Sequence, residues 1–154
     1  MTYGCCHLSL VPVRETASDK SEMVNQLMFG DVFEILIKKQ KWVFIKNAFD
    51  DYEGWIDSKQ FIEIDEKQFD KSKVKLLKCS TDLVEYVQDL NNHLLPIVIG
   101  SSLKSLNGFD YNSDAKISNG KVYRSKVVPT ALLYLNSPYL WGGRSPFGID
   151  CSGF

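Results

Sequence analysis

The chain has 154 residues, a formal net charge of -1 and four cysteines, and 44% of its residues are hydrophobic. This length fits one ordinary domain or two small ones, and the composition is that of a soluble globular protein. A net charge near zero offers no clustered basic excess for phosphate groups, so we expect no nucleic-acid partner. No apolar run reaches about 18 residues, so we also expect no membrane span.

The N-terminal sequence MTYGCCHLSLVPVR lacks the basic start and the unbroken apolar stretch of a secretory signal, so we expect a cytoplasmic protein. Cys5 and Cys6 would point to opposite faces of a strand, which makes them poor joint metal ligands. No CxxC pair occurs, so the cysteine spacing matches no zinc site. Cys5, Cys6 and Cys79 are most simply small buried hydrophobes, and we expect free thiols.

Residues 1–64 predict a small β-barrel or sandwich. They contain several short runs in which apolar and polar residues alternate, and turn residues such as Gly30 and Asp31 separate these runs. Many short strands at close spacing, without a helical period, are typical of this architecture.

Two segments follow the predicted barrel. Residues 65–75 are charged and lack apolar periodicity, so we expect a linker that extends to residue 80. Residues 81–92 predict a short amphipathic helix capped by Thr81 or Asp82. The expected buried stripe of this helix consists of Leu83, Val84, Val87 and Leu90.

The rest of residues 81–125 predicts a small β unit, either a second module like the N-terminal barrel or a connecting region. It contains a strand bent by Pro96 and a hairpin signal at Asn119-Gly120. A helix is expected from about Pro129 and should end before Pro138.

The segment PYLWGGRSPFGIDCSGF, residues 138–154, carries the most chemistry. Asp150 is a good N-cap, which would put Cys151 in the first turn of a helix. A helix N-terminus favours an anion, so the thiolate of Cys151 would be a nucleophile that needs a base. The alternative is a structural cysteine buried at the start of a helix.

The motif YLWGG…DCSGF resembles the signature of the NlpC-type cysteine peptidases, which are bacterial cell-wall amidases with a papain-like core. The sequence from LVPVRETAS to DDYEGWID resembles the bacterial SH3-like barrel that precedes the catalytic domain in the dipeptidyl-peptidase VI branch of this family. The resemblance implies a mostly β SH3-like barrel over residues 1–64. The start of an α+β papain-like cysteine peptidase domain would follow over residues 126–154.

The motif match also implies roles for five residues of the segment. Cys151 matches the nucleophile, and Tyr139 matches a tyrosine that helps to hold the tetrahedral oxyanion, unless it is only a packed aromatic. Asp150 and Ser152 match residues that hold the α-amine and backbone of the substrate, and simple helix capping is their alternative. Trp141 would form a wall of the pocket or belong to the core.

In that branch the barrel also reaches the site, through a glutamate and a tyrosine. The matching positions here are Glu22 and Tyr52, whose alternatives are an ordinary surface acid and a barrel aromatic. A carboxylate at Glu22 would pair with the ammonium of an N-terminal L-alanine and restrict the enzyme to free peptide N-termini.

A cysteine nucleophile needs an imidazole base, which the family places tens of residues after the cysteine. Only three residues follow Cys151, and neither His7 nor His93 matches the catalytic histidine. We therefore expect this chain to be the N-terminal part of a longer enzyme and, without that imidazole, to be inactive alone.

The resemblance implies a peptidase without metal or cofactor that hydrolyses the γ-D-glutamyl–diamino acid bond of murein peptides such as L-Ala-γ-D-Glu-diamino acid. The alternative is a non-catalytic module that binds cell-wall peptides. The complete motif around Cys151 favours the enzyme, whereas the missing histidine favours the binding module. The sequence leaves the oligomeric state open.

Overall fold

The computed structural model describes residues 2–72, 78–103, 106–111, 114–118, 120 and 123–154. Strands dominate the described residues, and the longest regular elements lie in the first 64 residues. This arrangement confirms the predicted fold class. Among the described residues, no helix is both long enough and apolar enough to span a bilayer.

Seven short strands form one antiparallel sheet, which is the SH3-like part of the chain. Their order across the sheet is β3-β2-β6-β5-β4-β1-β7, so β3 is an edge strand. The predicted turn at Gly30 and Asp31 joins β3 to β4. The strands are β1 (Thr2–Cys5), β2 (Leu10–Arg14), β3 (Met23–Met28), β4 (Val32–Lys38), β5 (Trp42–Asn47), β6 (Glu53–Asp57) and β7 (Ile62–Ile64).

The inner face of this sheet forms the barrel core because its strands alternate. In β5, Val43 and Ile45 are buried, whereas Phe44 lies on the other face and packs on Trp55 at 5.1 Å between ring centroids. Each fully buried aliphatic or aromatic side chain contributes about 1.5–3 kcal/mol. The core residues are Cys6, Val11, Val13, Leu27, Phe33, Val43, Ile45 and Ile56.

A second core lies where the barrel meets the following elements. Cys5 belongs to this second core and Cys6 to the first, as expected for adjacent residues at the end of a strand. The predicted linker is wrong over part of its length, because helix α1 (Glu66–Ser72) forms there. Its residue Phe69 is buried and stacks on Tyr3 with 4.1 Å between ring centroids. Phe69 is the single apolar residue of this helix, so the sequence showed no apolar periodicity that would have predicted it.

The middle of the chain forms small β units. A two-stranded sheet pairs β8 (Cys79–Ser80) with β12 (Ile117–Ser118), and a three-stranded sheet has the order β10-β9-β11. Asn119 lies outside the described residues, so the predicted hairpin at Asn119-Gly120 stays a prediction. The strands of the second sheet are β9 (Val84–Asp89), β10 (Leu94–Val98) and β11 (Phe109–Tyr111).

The helix predicted over residues 81–92 is wrong, because this segment contains strand β9. The apolar positions fit a period of 3.6 and do not alternate, so pairing with β10 and β11, rather than the local pattern, makes this segment a strand. Val87 is buried, but Leu90 is 83% exposed, so the predicted buried stripe does not exist. Pro96 lies on the edge strand β10, where its missing N–H is tolerated.

The C-terminal part contains helix α2 (Val127–Leu132), which starts two residues before the predicted Pro129 and follows a 3₁₀ turn at Arg124–Lys126. After it comes a short hairpin of β13 (Arg144–Ser145) and β14 (Gly148–Ile149). The domain boundaries expected from the sequence stay predictions.

Gly30 lies in the turn between β3 and β4, where the barrel contacts the middle β unit. Its φ is +84°, and a Cβ there would clash with the backbone oxygen of Ser102. The Ser102 N–H donates to the Phe29 carbonyl at 2.9 Å, so this backbone has little freedom to move away.

We predict that Gly30→Ala lowers the free energy of unfolding by about 1–3 kcal/mol, because alanine is strained at positive φ and would clash with Ser102. Gly108→Ala is the matched control, since Gly108 also has φ +84° but its Cβ would lie 3.5 Å from Leu90, an ordinary contact. Urea denaturation of both variants measures the difference. Equal losses would contradict the role assigned to the Ser102 contact.

Candidate functional site

The segment from Pro138 to Phe154 folds around β14. The Leu140 N–H donates to the Ile149 carbonyl at 3.2 Å, and the Ile149 N–H donates to the Pro138 carbonyl at 3.1 Å. Tyr139 bridges Ile149 in the parallel direction. The backbone on both sides of the Gly-Gly pair is therefore tied to one short strand.

Gly142 lies directly against the edge strand of the barrel. Its φ is +71°, and a Cβ there would be 2.8 Å from the Met23 carbonyl oxygen and 2.9 Å from the Val24 carbonyl carbon. Only glycine fits a position with this conformation and this backbone approach. The glycine thus allows the segment to cover part of the unpaired edge of β3.

Arg144 fastens the segment to the same edge. Its N–H donates to Gln26 Oε1 and its Nη1 donates to the Gln26 carbonyl, both at 2.9 Å. Nη1 also lies 3.4 Å from Asp31 Oδ2, in an ion pair whose side chains are 13% and 11% exposed. The guanidinium lies 5.4 Å from the centroid of the Phe49 ring. The contacts with Gln26 and Asp31 join residues more than 110 positions apart in the sequence.

Asp31 is held by the turn that follows β3. Its Oδ2 accepts the Met28 N–H at 3.0 Å. Burial raises the pKa of Asp31, whereas the Arg144 guanidinium and the Met28 N–H act in the opposite direction. A buried carboxylate of this kind depends on its partner, since removal of one member of such a pair costs about 3–5 kcal/mol.

Asp150 organises the turn that carries Cys151. Its Oδ1 accepts the N–H groups of Ser152 and Gly153 at 2.9 and 2.7 Å, and its Oδ2 accepts the Gly142 N–H at 2.8 Å. The Gly153, Gly142 and Ser152 N–H groups hold the pKa of Asp150 below its usual range. The Phe154 N–H donates to the Asp150 carbonyl, so Asp150 caps a single turn in which Cys151 is exposed.

A cleft of 570 Å³ lies between this segment and the barrel. Four residues predicted from the sequence line it together, namely Tyr52, Trp141, Asp150 and Ser152. Cys151 lies between the last two but is outside the lining, and the structure does not bring Tyr139 or Glu22 to the cleft. Tyr139 is 68% exposed, and Glu22 lies on the exposed turn before β3.

Sequence reasoning missed two charged residues that line the cleft, Asp50 and Arg144. Asp50 accepts the Tyr52 N–H at 3.1 Å through Oδ1 and the Asn25 side-chain amide at 3.3 Å through Oδ2. The signal was its place two residues before Tyr52. Arg144 follows the Gly-Gly pair directly, but its partners in the barrel leave no mark in the local sequence.

Neither histidine of the chain lines the cleft. His7 lies just after β1, and burial lowers its pKa. His93 lies on the exposed turn between β9 and β10, where its Nδ1 is 3.1 Å from Asp89 Oδ2. The cleft therefore combines carboxylates, one guanidinium and a neighbouring thiol without an imidazole among its lining residues.

Comparison with known proteins agrees with this architecture. Residues 13–61 match the family described as the bacterial dipeptidyl-peptidase SH3 domain. The Dipeptidyl-peptidase 6 of Lysinibacillus sphaericus is 24% identical over 163 residues, which cover 86% of this chain and 59% of that protein. The Gamma-D-glutamyl-L-lysine dipeptidyl-peptidase of Bacillus subtilis is 47% identical over 47 residues, 30% of this chain and 16% of that protein.

The fold has a solved counterpart in an NlpC/P60 family protein from Bacillus cereus. The TM-score is 0.77 at 16% identity, and the match covers 98% of this chain and 69% of that one. Residues 13–61 thus match a bacterial SH3 domain, and the chain as a whole shares the fold of an NlpC/P60 family protein, as the sequence motifs predicted. It spans less than two thirds of the length of the two relatives named above.

We predict that a limiting amount of iodoacetamide at pH near 6.5 labels Cys151 first. Cys5 and Cys6 are 0% exposed and burial raises the pKa of both thiols, while partial burial raises that of Cys79. Cys151 is exposed, so it should react faster than these buried and partly buried thiols. Peptide mass mapping after timed alkylation measures the order.

In the control variant Cys151→Ser, the first label should pass to Cys79, which is only partly buried. Faster labelling of Cys5 or Cys79 than of Cys151 in the unmodified chain would remove the basis for assigning the nucleophile.

Proposed function

We propose that this chain provides the barrel and the nucleophile of a cysteine peptidase that acts on murein-derived peptides. Its substrate would be L-Ala-γ-D-Glu-diamino acid, cleaved at the γ-D-glutamyl–diamino acid bond. The observation that supports this proposal most strongly is the cleft, which brings the Asp150–Cys151–Ser152 turn to the barrel residues Asp50 and Tyr52. The relatives named dipeptidyl-peptidase support the same class of reaction.

In this reaction the Cys151 thiolate attacks the γ-carbonyl carbon of the D-glutamyl residue. The C–S bond forms, the tetrahedral intermediate collapses, and the C–N bond breaks when the amine of the diamino acid receives a proton from a general acid, which is not among the cleft-lining residues that the structure describes. Water then hydrolyses the thioester and frees the thiol. The two carboxylates of the cleft, Asp50 and Asp150, already accept hydrogen bonds from the protein, and we assign them to binding rather than to proton transfer.

The oxyanion of the intermediate needs hydrogen-bond donors close to Cys151. Ser152 and Gly153 already donate their N–H groups to Asp150. The remaining backbone donor of the turn is therefore the Cys151 amide. The exposed Tyr139 hydroxyl is the side-chain donor that we assign to the oxyanion.

The end of the substrate that carries the free ammonium would lie against the barrel. Asp50 is the barrel carboxylate that lines the cleft, and it accepts one hydrogen bond at each oxygen. A carboxylate has about four acceptor positions, so Asp50 retains capacity for an ammonium. We therefore assign to Asp50 the charge-pairing role that the sequence suggested for Glu22, and Tyr52 and Trp141 would enclose the alanine side chain.

We predict that the chain binds L-Ala-γ-D-Glu-diamino acid at least about tenfold more tightly than its N-acetyl derivative. The reason is that a hydrogen bond to a charged partner contributes about 1.5–3 kcal/mol. Asp50→Asn should remove most of this preference, which isothermal titration calorimetry measures directly.

Glu22→Gln is the matched control for Asp50→Asn. Both substitutions replace a barrel carboxylate by its amide, but only Asp50 lines the cleft. Loss of the preference in Glu22→Gln and not in Asp50→Asn would return the role to Glu22. Equal binding of the free and acetylated peptides would reject the barrel as a gate for peptide N-termini.

The second candidate function is a non-catalytic module that binds cell-wall peptides. The absence of both histidines from the cleft lining favours it, because without an imidazolium the leaving amine has no efficient proton donor. The binding cleft would then be the whole function of these residues.

We predict that the 154 residues alone release no more diamino acid from the peptide than Cys151→Ala does, because no imidazole lines the cleft. A fluorescamine assay of the released amine makes the comparison. Turnover that Cys151→Ala abolishes would contradict this prediction and would require His7, His93 or a partner chain to supply the base.

A further inference from the structure

Arg144 is the one cation among the cleft-lining residues that the structure describes. Its position follows from the strand register. Ser9 accepts the Phe29 N–H, so the opposed pair Pro12 and Gln26 is a pair without mutual hydrogen bonds. The carbonyl of Gln26 therefore points away from β2, towards the unpaired edge of β3. Arg144 Nη1 donates to this carbonyl.

The guanidinium thus joins two different groups of the barrel. One is the backbone of the edge strand at Gln26, and the other is the carboxylate of Asp31 in the turn after β3. Both bonds come from Nη1, whose two N–H groups have fixed directions in the guanidinium plane, whereas lysine offers a single point charge. The backbone N–H of Arg144 adds a third bond, to Gln26 Oε1.

From Arg144 the restraint passes to Cys151 through short hydrogen bonds. Gly142 and Gly143 precede Arg144 directly, the Gly142 N–H donates to Asp150 Oδ2, and the Asp150 N–H donates to the Gly143 carbonyl. Asp150 in turn caps the turn that contains Cys151. Each link is a hydrogen bond of about 3 Å, and the chain of links begins in the barrel.

We propose that Arg144 is a positioning residue, which sets the place of the Cys151 turn relative to the barrel wall by binding Gln26 and Asp31. The proposal rests on the proposed function only for the chemical role of Cys151. The geometry itself concerns the barrel, the Gly-Gly turn and the cleft between them. It follows that loss of Arg144 should release the segment at 139–154 while the barrel stays folded.

Trp141 is a natural reporter for this test. It lies one residue before Gly142 and lines the cleft, whereas Trp42 and Trp55 lie on barrel strands β5 and β6. In protein labelled with 5-fluorotryptophan, each of the three tryptophans gives one ¹⁹F NMR signal. We expect Arg144→Gln to shift or broaden the Trp141 signal and to leave the Trp42 and Trp55 signals in place.

Hydrogen exchange gives the size of the effect. The amides of Gly142, Arg144 and Asp150 are bonded within the segment or to Gln26, and their exchange should become at least about tenfold faster in Arg144→Gln. Exchange in β5 should not change. Arg14→Gln is the matched control, since the Arg14 guanidinium donates to the Ser21 carbonyl and both residues belong to the barrel.

Arg144→Lys tests whether the planar guanidinium geometry is needed in addition to the positive charge. It also provides a milder variant if Arg144→Gln does not fold. It keeps a positive charge beside Asp31 and should move the Trp141 signal less than Arg144→Gln does. A Trp141 signal that is unchanged in both variants would overturn the proposal. So would three tryptophan signals that move together, or an effect of Arg14→Gln as large as that of Arg144→Gln.

The same measurements in the Cys151→Ala background separate this inference from the proposed function. The Trp141 signal should respond to Arg144 in the same way without the thiol. An inactive or non-nucleophilic Cys151 would then refute the proposed function alone, whereas an unresponsive Trp141 would refute the positioning role alone.

Discussion

The buried ion pair between Arg144 and Asp31 is the contact on which the candidate site depends. Both side chains are largely removed from water, so each charge needs the other, and the pair forms only when the C-terminal segment lies on the edge of β3. Gly142 makes this approach possible because it has no Cβ to meet the backbone of Met23 and Val24. Electrostatics and the absence of a side chain therefore act together at one sheet edge.

The same contact explains why the barrel is more than an attached binding module. An exposed edge strand is a liability for a β-protein, and the Gly-Gly segment covers part of this one. The segment that covers the edge of β3 consequently also forms one wall of the cleft. Asp150 lies on this wall, and Asp50 and Tyr52 lie on the opposite wall, which belongs to the barrel. In the function we propose, substrate length and nucleophile position would both be determined at this junction.

The second core gives the junction a rigid base. Phe29 and Cys5 of the barrel pack there with Phe69 of α1 and with Val87 and Ile97 of the middle β unit. Gly30 has no side chain, which lets the turn between β3 and β4 lie directly against Ser102 of the middle β unit. The turn that contains Asp31 thus packs on the second core on one side. On its other side, the Asp31 carboxylate pairs with Arg144.

The sequence by itself determined the elements whose pattern is local. Short alternating runs in residues 1–64 and the turn residues at Gly30 predicted the barrel, and the DCSG motif located Asp150 and Cys151, because a strand period and a capping residue act on near neighbours. Tertiary structure alone decided that residues 84–89 form a strand, since their apolar positions follow a helical period and only pairing with β10 and β11 overrides it. It also decided the pairing of Arg144 with Asp31, because a contact across 113 positions depends on how two separate elements pack.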